Sequence, residues 1–90
     1  MELSDVKIRI VPKDNEMLKA VASVVIDGCF VLHDIKIING KSGLFISMPS
    51  RKTPEGSYRD IAHPLDTETR ELFSSTILGA YDKALKEQQA

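Results

Sequence analysis

The chain has 90 residues and a mass of 10.0 kDa, which suffices for one small domain. Lys and Arg number 12 against 13 Asp and Glu, and the net charge of −1 excludes a histone-like protein that coats nucleic acid by bulk charge. A domain of this size buries only about 60–65% of the surface that its unfolded chain exposes, so association with a second copy would enlarge a small core.

Cysteine usage and hydropathy indicate the compartment. Cys29 is the only cysteine, which excludes an intrachain disulfide and a multi-cysteine metal site. Secreted domains this small normally carry several disulfides, so we expect a reducing cytoplasm. Residues 1–5 lack the features of a signal peptide, and the longest apolar stretch, residues 29–32, is far too short to span a bilayer. We therefore expect a soluble protein with no membrane partner.

The first half of the chain predicts an antiparallel meander. Residues 6–10 alternate apolar and basic, which is typical of a half-buried strand, and a polar turn follows at residues 13–16. Further strands are predicted at residues 18–26, 29–38 and 44–48, joined by turns at Asp27-Gly28 and Asn39-Gly40. The third strand is apolar on both faces. Strict alternation places Phe30, Leu32 and Ile38 on one face and Val31, Ile35 and Ile37 on the other.

The second half predicts a basic loop at residues 49–65 and a helix over about residues 66–87. Within the loop, residues 53–56 (Thr-Pro-Glu-Gly) favour a type I turn, and residues 58–61 could form a short extra strand. Asp66 or Thr67 can cap the helix. An apolar stripe follows at helical spacing: Leu72, Phe73, Ile77, Tyr81, Ala84 and Leu85. The predicted fold is a single α+β domain, residues 1–90, with a four- to five-stranded antiparallel meander, the basic loop and a C-terminal helix.

The histidines do not predict a catalytic or metal site. His33 precedes Asp34 in a strand, where neighbouring side chains point to opposite faces, so a hydrogen-bonded strand histidine is the favoured interpretation. His63 could anchor the junction between loop and helix or meet a phosphate. Ser50, His63 and Asp60 could be imagined as a triad, but the chain has no nucleophile elbow.

Two other features also favour structural interpretations. Residues 40–43 (Gly-Lys-Ser-Gly) lack the longer glycine-rich pattern and the following helix of a phosphate loop. Cys29 begins a strand after a tight turn and is more typical of a small buried residue than of a nucleophile. We therefore expect a protein that is not an enzyme, with no metal, no other cofactor and no small-molecule substrate.

The charge is distributed unevenly, and the middle of the chain is basic. Residues 36–59 carry five cations against Glu55 alone, between acidic ends. The five are Lys36, Lys41, Arg51, Lys52 and Arg59. The turn at residues 53–56 could fold Arg59 back beside Arg51 and Lys52, and Tyr58 offers a ring for base stacking. The segment is consistent with nucleic-acid binding or with a solvated polar loop.

Three segments, FVLHDIKII (residues 30–38), GLFISMPSRKTPEG (43–56) and YRDIAHP (58–64), closely resemble the bacterial stage V sporulation protein G family. Residues 5–11 and 18–23 and the chain length also fit. The resemblance implies a small cytoplasmic regulator that dimerises through its β-sheet, affects septation and sporulation, and binds DNA or RNA. By position, it implies nucleic-acid contacts at Arg51, Lys52 and Arg59 in the loop and at Arg70, Lys83 and Lys86 on the helix.

Two functions remain open at this point. The first is a dimeric nucleic-acid-binding regulator in which Arg51, Lys52 and Arg59 neutralise phosphates and Tyr58 adds stacking. The second is a protein-interaction module that acts on the division or sporulation machinery through its sheet edge or helix. In the second case the basic loop would only brace the fold.

Overall fold

The computed structural model describes residues 1–11 and 17–89. Its main sheet has four antiparallel strands in chain order: β1 (Leu3–Ile10), β2 (Leu18–Ile26), β3 (Phe30–Gly40) and β4 (Gly43–Ser47). A separate two-stranded sheet, β5 (Ser50–Lys52) and β6 (Tyr58–Asp60), precedes the helix α1 (Thr67–Gln89). The α+β prediction is confirmed, and the expected extra strand pairs outside the meander. The turn predicted at residues 13–16 lies outside the described residues.

The turn between β2 and β3 is confirmed. Asp27 and Gly28 have φ angles of 52° and 66°, the left-handed values that a type I′ turn requires, and the Cys29 amide donates to the Ile26 carbonyl at 3.1 Å. The turn leaves Cys29 exposed, so the expectation of a buried cysteine is wrong. The reason is that Cys29 closes the turn and precedes the first residue of β3.

The turn between β3 and β4 lies two residues beyond its predicted position. Gly40 pairs with Gly43 across the strands, which leaves Lys41 and Ser42 as the turn residues. A Cβ atom on Gly40 would lie 2.7 Å from the Cε1 atom of Phe45, so the Phe45 ring crosses the bare glycine backbone. That packing keeps Gly40 within the strand, and Gly43, with a φ of 114°, supplies the left-handed conformation after the turn.

A β-bulge at Asp34 changes which residues of β3 share a face. Ala22 pairs with Ile35 and Val24 with Leu32, so three steps along β3 oppose two along β2. The extra residue is Asp34, which has a φ of 63°. The predicted separation of Leu32 from Ile35 is therefore wrong, because the bulge shifts the alternation by one residue. The residues of β3 on the core side are Phe30, Leu32, Ile35 and Ile37.

The helix covers one face of the main sheet, where it packs against β1, β2 and β4. Phe73, Ile77 and Tyr81 supply the buried stripe of the helix, while Leu72, which the periodicity placed in that stripe, is 38% exposed. The sheet contributes Ala20, Ala22, Val24, Ile35, Ile37 and Ile46 to the same core, and Met48 follows β4. Among the described residues, no helix is both long and apolar enough to cross a membrane.

Asp66 caps the helix. Its Oδ1 atom accepts a hydrogen bond from the Thr69 amide at 2.7 Å, and its carbonyl accepts one from the Arg70 amide at 3.2 Å. The backbone and side-chain hydrogen bonds from Thr69 lower the pKa of the Asp66 carboxyl from its ordinary value of 3.8, because they favour the charged form. Of the two caps that the sequence allowed, Asp66 is the one used.

Candidate nucleic-acid interface

Besides the pairing of its two strands, four hydrogen bonds hold the β5–β6 hairpin. The Gly56 amide donates to the Thr53 carbonyl at 3.0 Å, which closes the predicted turn, and Gly56 has a φ of 88°. The Ser57 amide donates to the Thr53 hydroxyl at 3.2 Å, while the Thr53 amide donates to the Ser57 carbonyl at 2.7 Å. At the open end, the Ile61 amide donates to the Pro49 carbonyl at 2.8 Å. These bonds hold a short hairpin that lies outside the core.

The register of the hairpin places two arginines opposite each other. Arg51 pairs with Arg59, between the Ser50–Asp60 and Lys52–Tyr58 pairs. Directly opposite residues of an antiparallel pair share a face, with Cβ atoms about 4.5–5.5 Å apart. The prediction that the turn brings Arg59 back beside Arg51 and Lys52 is confirmed.

The groove at this hairpin is basic and open to solvent. It has a volume of about 490 Å³ and is lined by Arg51, Lys52, Thr53, Pro54 and Arg59. Every ionisable group in that lining is a cation. Within the described chain, the one ion pair joins Lys86 to Asp82, so neither arginine has a carboxylate partner there. The arrangement leaves guanidinium and ammonium donors free to meet an anion.

Tyr58 lies on the other face of the hairpin from the two arginines. It is 71% exposed and stands opposite Lys52. Because successive residues of a strand alternate in direction, Tyr58 and its partner Lys52 start from the face opposite the Arg51–Arg59 pair, although Lys52 is also part of the groove lining. A base stacked on Tyr58 and phosphates held by the arginines would therefore lie on opposite sides of the hairpin.

The structure does not bring the helix cations together. Lys83 lies 13 residues after Arg70, which is about 20 Å along the helix axis and about 140° around it. Lys86 is 3.2 Å from the Asp82 carboxylate in an exposed i,i+4 pair. Arg70 therefore stands apart from both lysines, and the three do not share one face.

The imagined triad residues have other positions and contacts. Ser50 and Asp60 are cross-strand partners, and the Nδ1 atom of His63 lies 3.0 Å from the Pro64 carbonyl oxygen. This contact is with the next residue of the chain, in the segment between β6 and α1. His33 is exposed, and the described part of the chain gives its ring no hydrogen bond, so the expectation of a hydrogen-bonded strand histidine is wrong. The Asp34 bulge places His33 on the uncovered face of the sheet.

Sequence reasoning missed an apolar groove at the junction of sheet and helix. It has a volume of about 400 Å³, and its lining includes Phe30, Leu32, Leu65 and Phe73. Leu65 is 92% exposed and Phe30 is 65% exposed. No local pattern distinguishes these residues from core positions.

The sequence did not show that Lys7, Arg9 and Lys36 share one face of the sheet, the face that the helix leaves uncovered in the described part of the chain. The alternation at residues 6–10 was the available signal, because it places both cations of β1 opposite the apolar face.

The fold and the hairpin define a small α+β protein with an unpaired basic hairpin beside a sheet that one helix covers. The SpoVG family model matches residues 1–83, and the chain belongs to the SpoVG family. The resemblance seen in the sequence is thereby confirmed.

Curated relatives match along nearly the whole chain. A protein of Thermoanaerobacter sp. (strain X514), named "Putative septation protein SpoVG", is 56% identical over 90 residues, which cover 100% of this chain and 96% of the relative. Proteins of the same name from Clostridium kluyveri and Clostridium beijerinckii are 51% and 52% identical over 88 residues. These matches cover 98% of this chain and 91% and 96% of the relatives.

Proposed function

We propose that this chain is a dimeric regulator that binds DNA or RNA through the β5–β6 hairpin and takes part in septation and sporulation. The observation that carries the proposal is the Arg51–Arg59 pair. Like charges placed directly opposite each other destabilise a strand pair. A phosphate between the two guanidinium groups replaces that repulsion with charge-assisted hydrogen bonds.

The neighbours of the pair support the same ligand. Lys52, which starts from the face of Tyr58, lines the groove together with the hydroxyl-bearing Thr53. Phosphate contacts in nucleic-acid complexes come from such cationic and neutral donors on a rigid scaffold. In this proposal Tyr58 stacks on a base on the other side of the hairpin, while Arg70, Lys83 and Lys86 contribute weaker, dispersed contacts.

We propose the outer edge of β4 as the dimer contact. Among the described strands, β1 and β4 form the two edges of the sheet, and β1 is protected at its edge by Lys7, Arg9 and a bulge at Asp5. By contrast β4 carries no charged residue, and its Leu44 and Phe45 are 43% and 48% exposed. An uncharged, uncovered edge strand is a template for pairing with another strand.

Pairing of β4 with β4 of a second copy would join two sheets about a two-fold axis and present two hairpins. A chain with only a few phosphate contacts binds weakly, but two linked sets of contacts gain affinity from the high effective concentration of the second set.

The biological role comes from the relatives. Those described above are named for septation, and the family name refers to sporulation. We place the chain in the cytoplasm, where it acts by binding, without catalysis, cofactor, small-molecule substrate or membrane.

A salt titration with labelled DNA and RNA tests the nucleic-acid proposal. Each phosphate contact contributes about −0.9 to the slope of log affinity against log salt on B-DNA and about −0.7 on a single strand. Replacing Arg51 and Lys52 together with Ala should flatten the slope by roughly one to two units. Lys41→Ala, which removes an exposed cation from the β3–β4 turn, is the control. An unchanged slope in the double variant would remove the hairpin from the contact surface.

The apolar groove supports a second candidate, a protein-interaction module. Exposed Phe30 and Leu65 beside a 400 Å³ groove are typical of a surface that a partner covers. Pull-down from a cell extract with and without nuclease separates the two candidates. Partners that survive nuclease and disappear with Phe30→Ser favour the second, while partners that vanish with nuclease favour bridging by nucleic acid.

A further inference from the structure

The face of the main sheet opposite α1 is uncovered in the described part of the chain. The helix packs on the side of Ile8, Ala22 and Ile37. Side chains that alternate with these residues therefore point away from the core. The uncovered face is mixed: it carries Lys7, Arg9, Ser23, His33, Lys36 and Phe45 together with the apolar residues Val21, Val25, Val31 and Ile38.

The strand register arranges the cations of this face in two rows. Arg9 pairs with Val21, Val21 with Lys36, and Lys36 with Ser47, so these four residues form one line across all four strands. In this row the Cα atoms of Arg9 and Lys36 are two strand spacings apart, which is about 10 Å.

The second row lies beside the first. Lys7 pairs with Ser23, and a shallow groove of about 260 Å³ is lined by Lys7, Arg9, Ser23, His33 and Asp34, among other residues. Lys7 and Arg9 are two residues apart on β1, or about 7 Å. Three cations thus surround a floor formed by Val21 and Ser23.

A β-bulge lies in each of the two strands that flank Ser23 of β2. Asp5 in β1 and Asp34 in β3 both have left-handed φ angles, 47° and 63°, and each is the extra residue of its strand. Bulges turn the side chains of their neighbours and are common beside functional sites. The two carboxylates lie at the border of the face, and within the described residues neither forms an ion pair with its cations.

An exposed aromatic ring extends the face at β4. Phe45 pairs with Ile38, two residues from the Lys36–Ser47 pair, so Phe45 is a diagonal neighbour of Lys36 at about 7–8 Å. A sheet surface that combines cations with an exposed aromatic side chain is suited to single-stranded nucleic acid, because unpaired bases can stack on the ring while cations follow the phosphates.

We propose that the uncovered face of the sheet is a second binding surface, selective for single-stranded nucleic acid, with Lys7, Arg9 and Lys36 on the phosphates and Phe45 under a base. This second proposal rests on the proposed function, because both require that the chain binds nucleic acid. The residues involved are different from those of the hairpin. A duplex, whose bases are already stacked, would leave Phe45 unused.

The chain contains no tryptophan, so Phe45→Trp introduces a single selective fluorophore on this face. We expect an oligothymidylate of about 20 nucleotides to quench the indole fluorescence of this variant, and the matching duplex to quench it much less. Tyr58→Trp places the same probe on the hairpin for comparison. Circular dichroism and thermal unfolding verify that the Phe45→Trp variant keeps the fold.

Charge variants test the phosphate contacts. The exposed residues Lys7, Arg9 and Lys36, replaced together with Gln, should flatten the single-strand salt slope by about two units. Lys36→Gln alone should weaken binding of the single strand more than Lys41→Gln does. The two variants are matched, because each removes one exposed cation, but only Lys36 lies on the uncovered face.

The outcomes separate this proposal from the hairpin proposal. Loss of single-strand binding in the sheet variants, with hairpin variants still binding, supports the sheet face alone. An unchanged slope in the triple variant, with loss in Arg51→Ala and Lys52→Ala, overturns the sheet face and leaves the hairpin. Failure of the unmodified chain to bind either probe overturns both. A dependence of the Phe45→Trp fluorescence on protein concentration that persists when Leu44→Lys blocks pairing at the edge of β4 would mean that a second copy covers the face, which also overturns it.

Discussion

Arg51 and Arg59 lie directly opposite each other in the β5–β6 hairpin, and no carboxylate of the described chain pairs with either. Repulsion between the two guanidinium groups lowers the stability of the free protein. Such a pair is consistent with selection for binding an anionic ligand, whose negative charge would offset the repulsion. The hairpin lies outside the core, so the repulsion between the two arginines does not disturb the packing of α1 on the sheet.

Arg59→Gln should therefore stabilise the free protein and weaken nucleic-acid binding. Relief of like-charge repulsion across a strand pair contributes about 0.2–1 kcal/mol. Urea denaturation of the unbound variant measures the first effect, and the salt titration measures the second. Lys41→Gln, a cation with no cross-strand cation opposite, serves as the control. A variant that loses both stability and affinity would indicate that Arg59 braces the hairpin.

Gly40→Ala should destabilise the fold by about 1 kcal/mol, because the added Cβ atom would lie 2.7 Å from the Phe45 ring, which must then move off the strand. Gly79→Ala is the matched control. A Cβ atom there meets nothing within 4 Å, and Ala favours the helix by about 1 kcal/mol over Gly. Chemical denaturation of both variants should give changes of opposite sign. Equal effects would contradict the role of the ring over Gly40.

Asp66 should make stability depend on pH in the acid range. Its pKa is lowered in the folded protein by the hydrogen bonds from Thr69, so its contribution is present above the ordinary value of 3.8 and is lost as the pH falls through the lower folded pKa. Asp66→Asn keeps a capping oxygen but does not titrate. The stability difference between the natural protein and Asp66→Asn should shrink with acidification. A difference that is constant with pH would exclude this linkage.

Leu44→Lys should block dimerisation through the edge of β4, because a charged residue on an edge strand opposes pairing with another strand. Analytical ultracentrifugation should give about 20 kDa for the natural protein, twice the chain mass of 10.0 kDa, and the mass of one chain for the variant. Val31→Lys is the control, since Val31 is similarly exposed, 46% against 43%, but lies on an interior strand. Dissociation of the control alone would move the dimer contact to the face of the sheet.

The local signals of the sequence were sufficient for most of the secondary structure. The Asp27-Gly28 pair, the turn at residues 53–56 and the helical period after Asp66 each act within a few residues, and each is confirmed. Asn39-Gly40 is an equally strong local signal, but the turn lies at Lys41 and Ser42 because Phe45 packs across Gly40 from the facing strand.

Some features of the candidate sites could also be predicted from local sequence signals, and others could not. Clustering of Arg59 with Arg51 and Lys52 follows from a turn that the sequence contains, so it was predictable. The separation of Arg70 from Lys83 follows from helix geometry. It could be predicted once both residues were assigned to one helix. The apolar groove and the rows on the uncovered face depend on contacts between residues far apart in the chain, which no local pattern encodes.

The α+β class, the basic loop and the order of the elements follow from the sequence alone, because turn residues and hydrophobic periods act locally, and the family follows from its resemblance. Which residues face the core and which face solvent depends on contacts between strands. The bulge at Asp34 reverses the alternation of β3, so that Leu32 and Ile35 share the core side while His33 and Lys36 share the open one. A bulge forms only when a partner strand is present to mismatch, and a single strand of sequence carries no record of that partner.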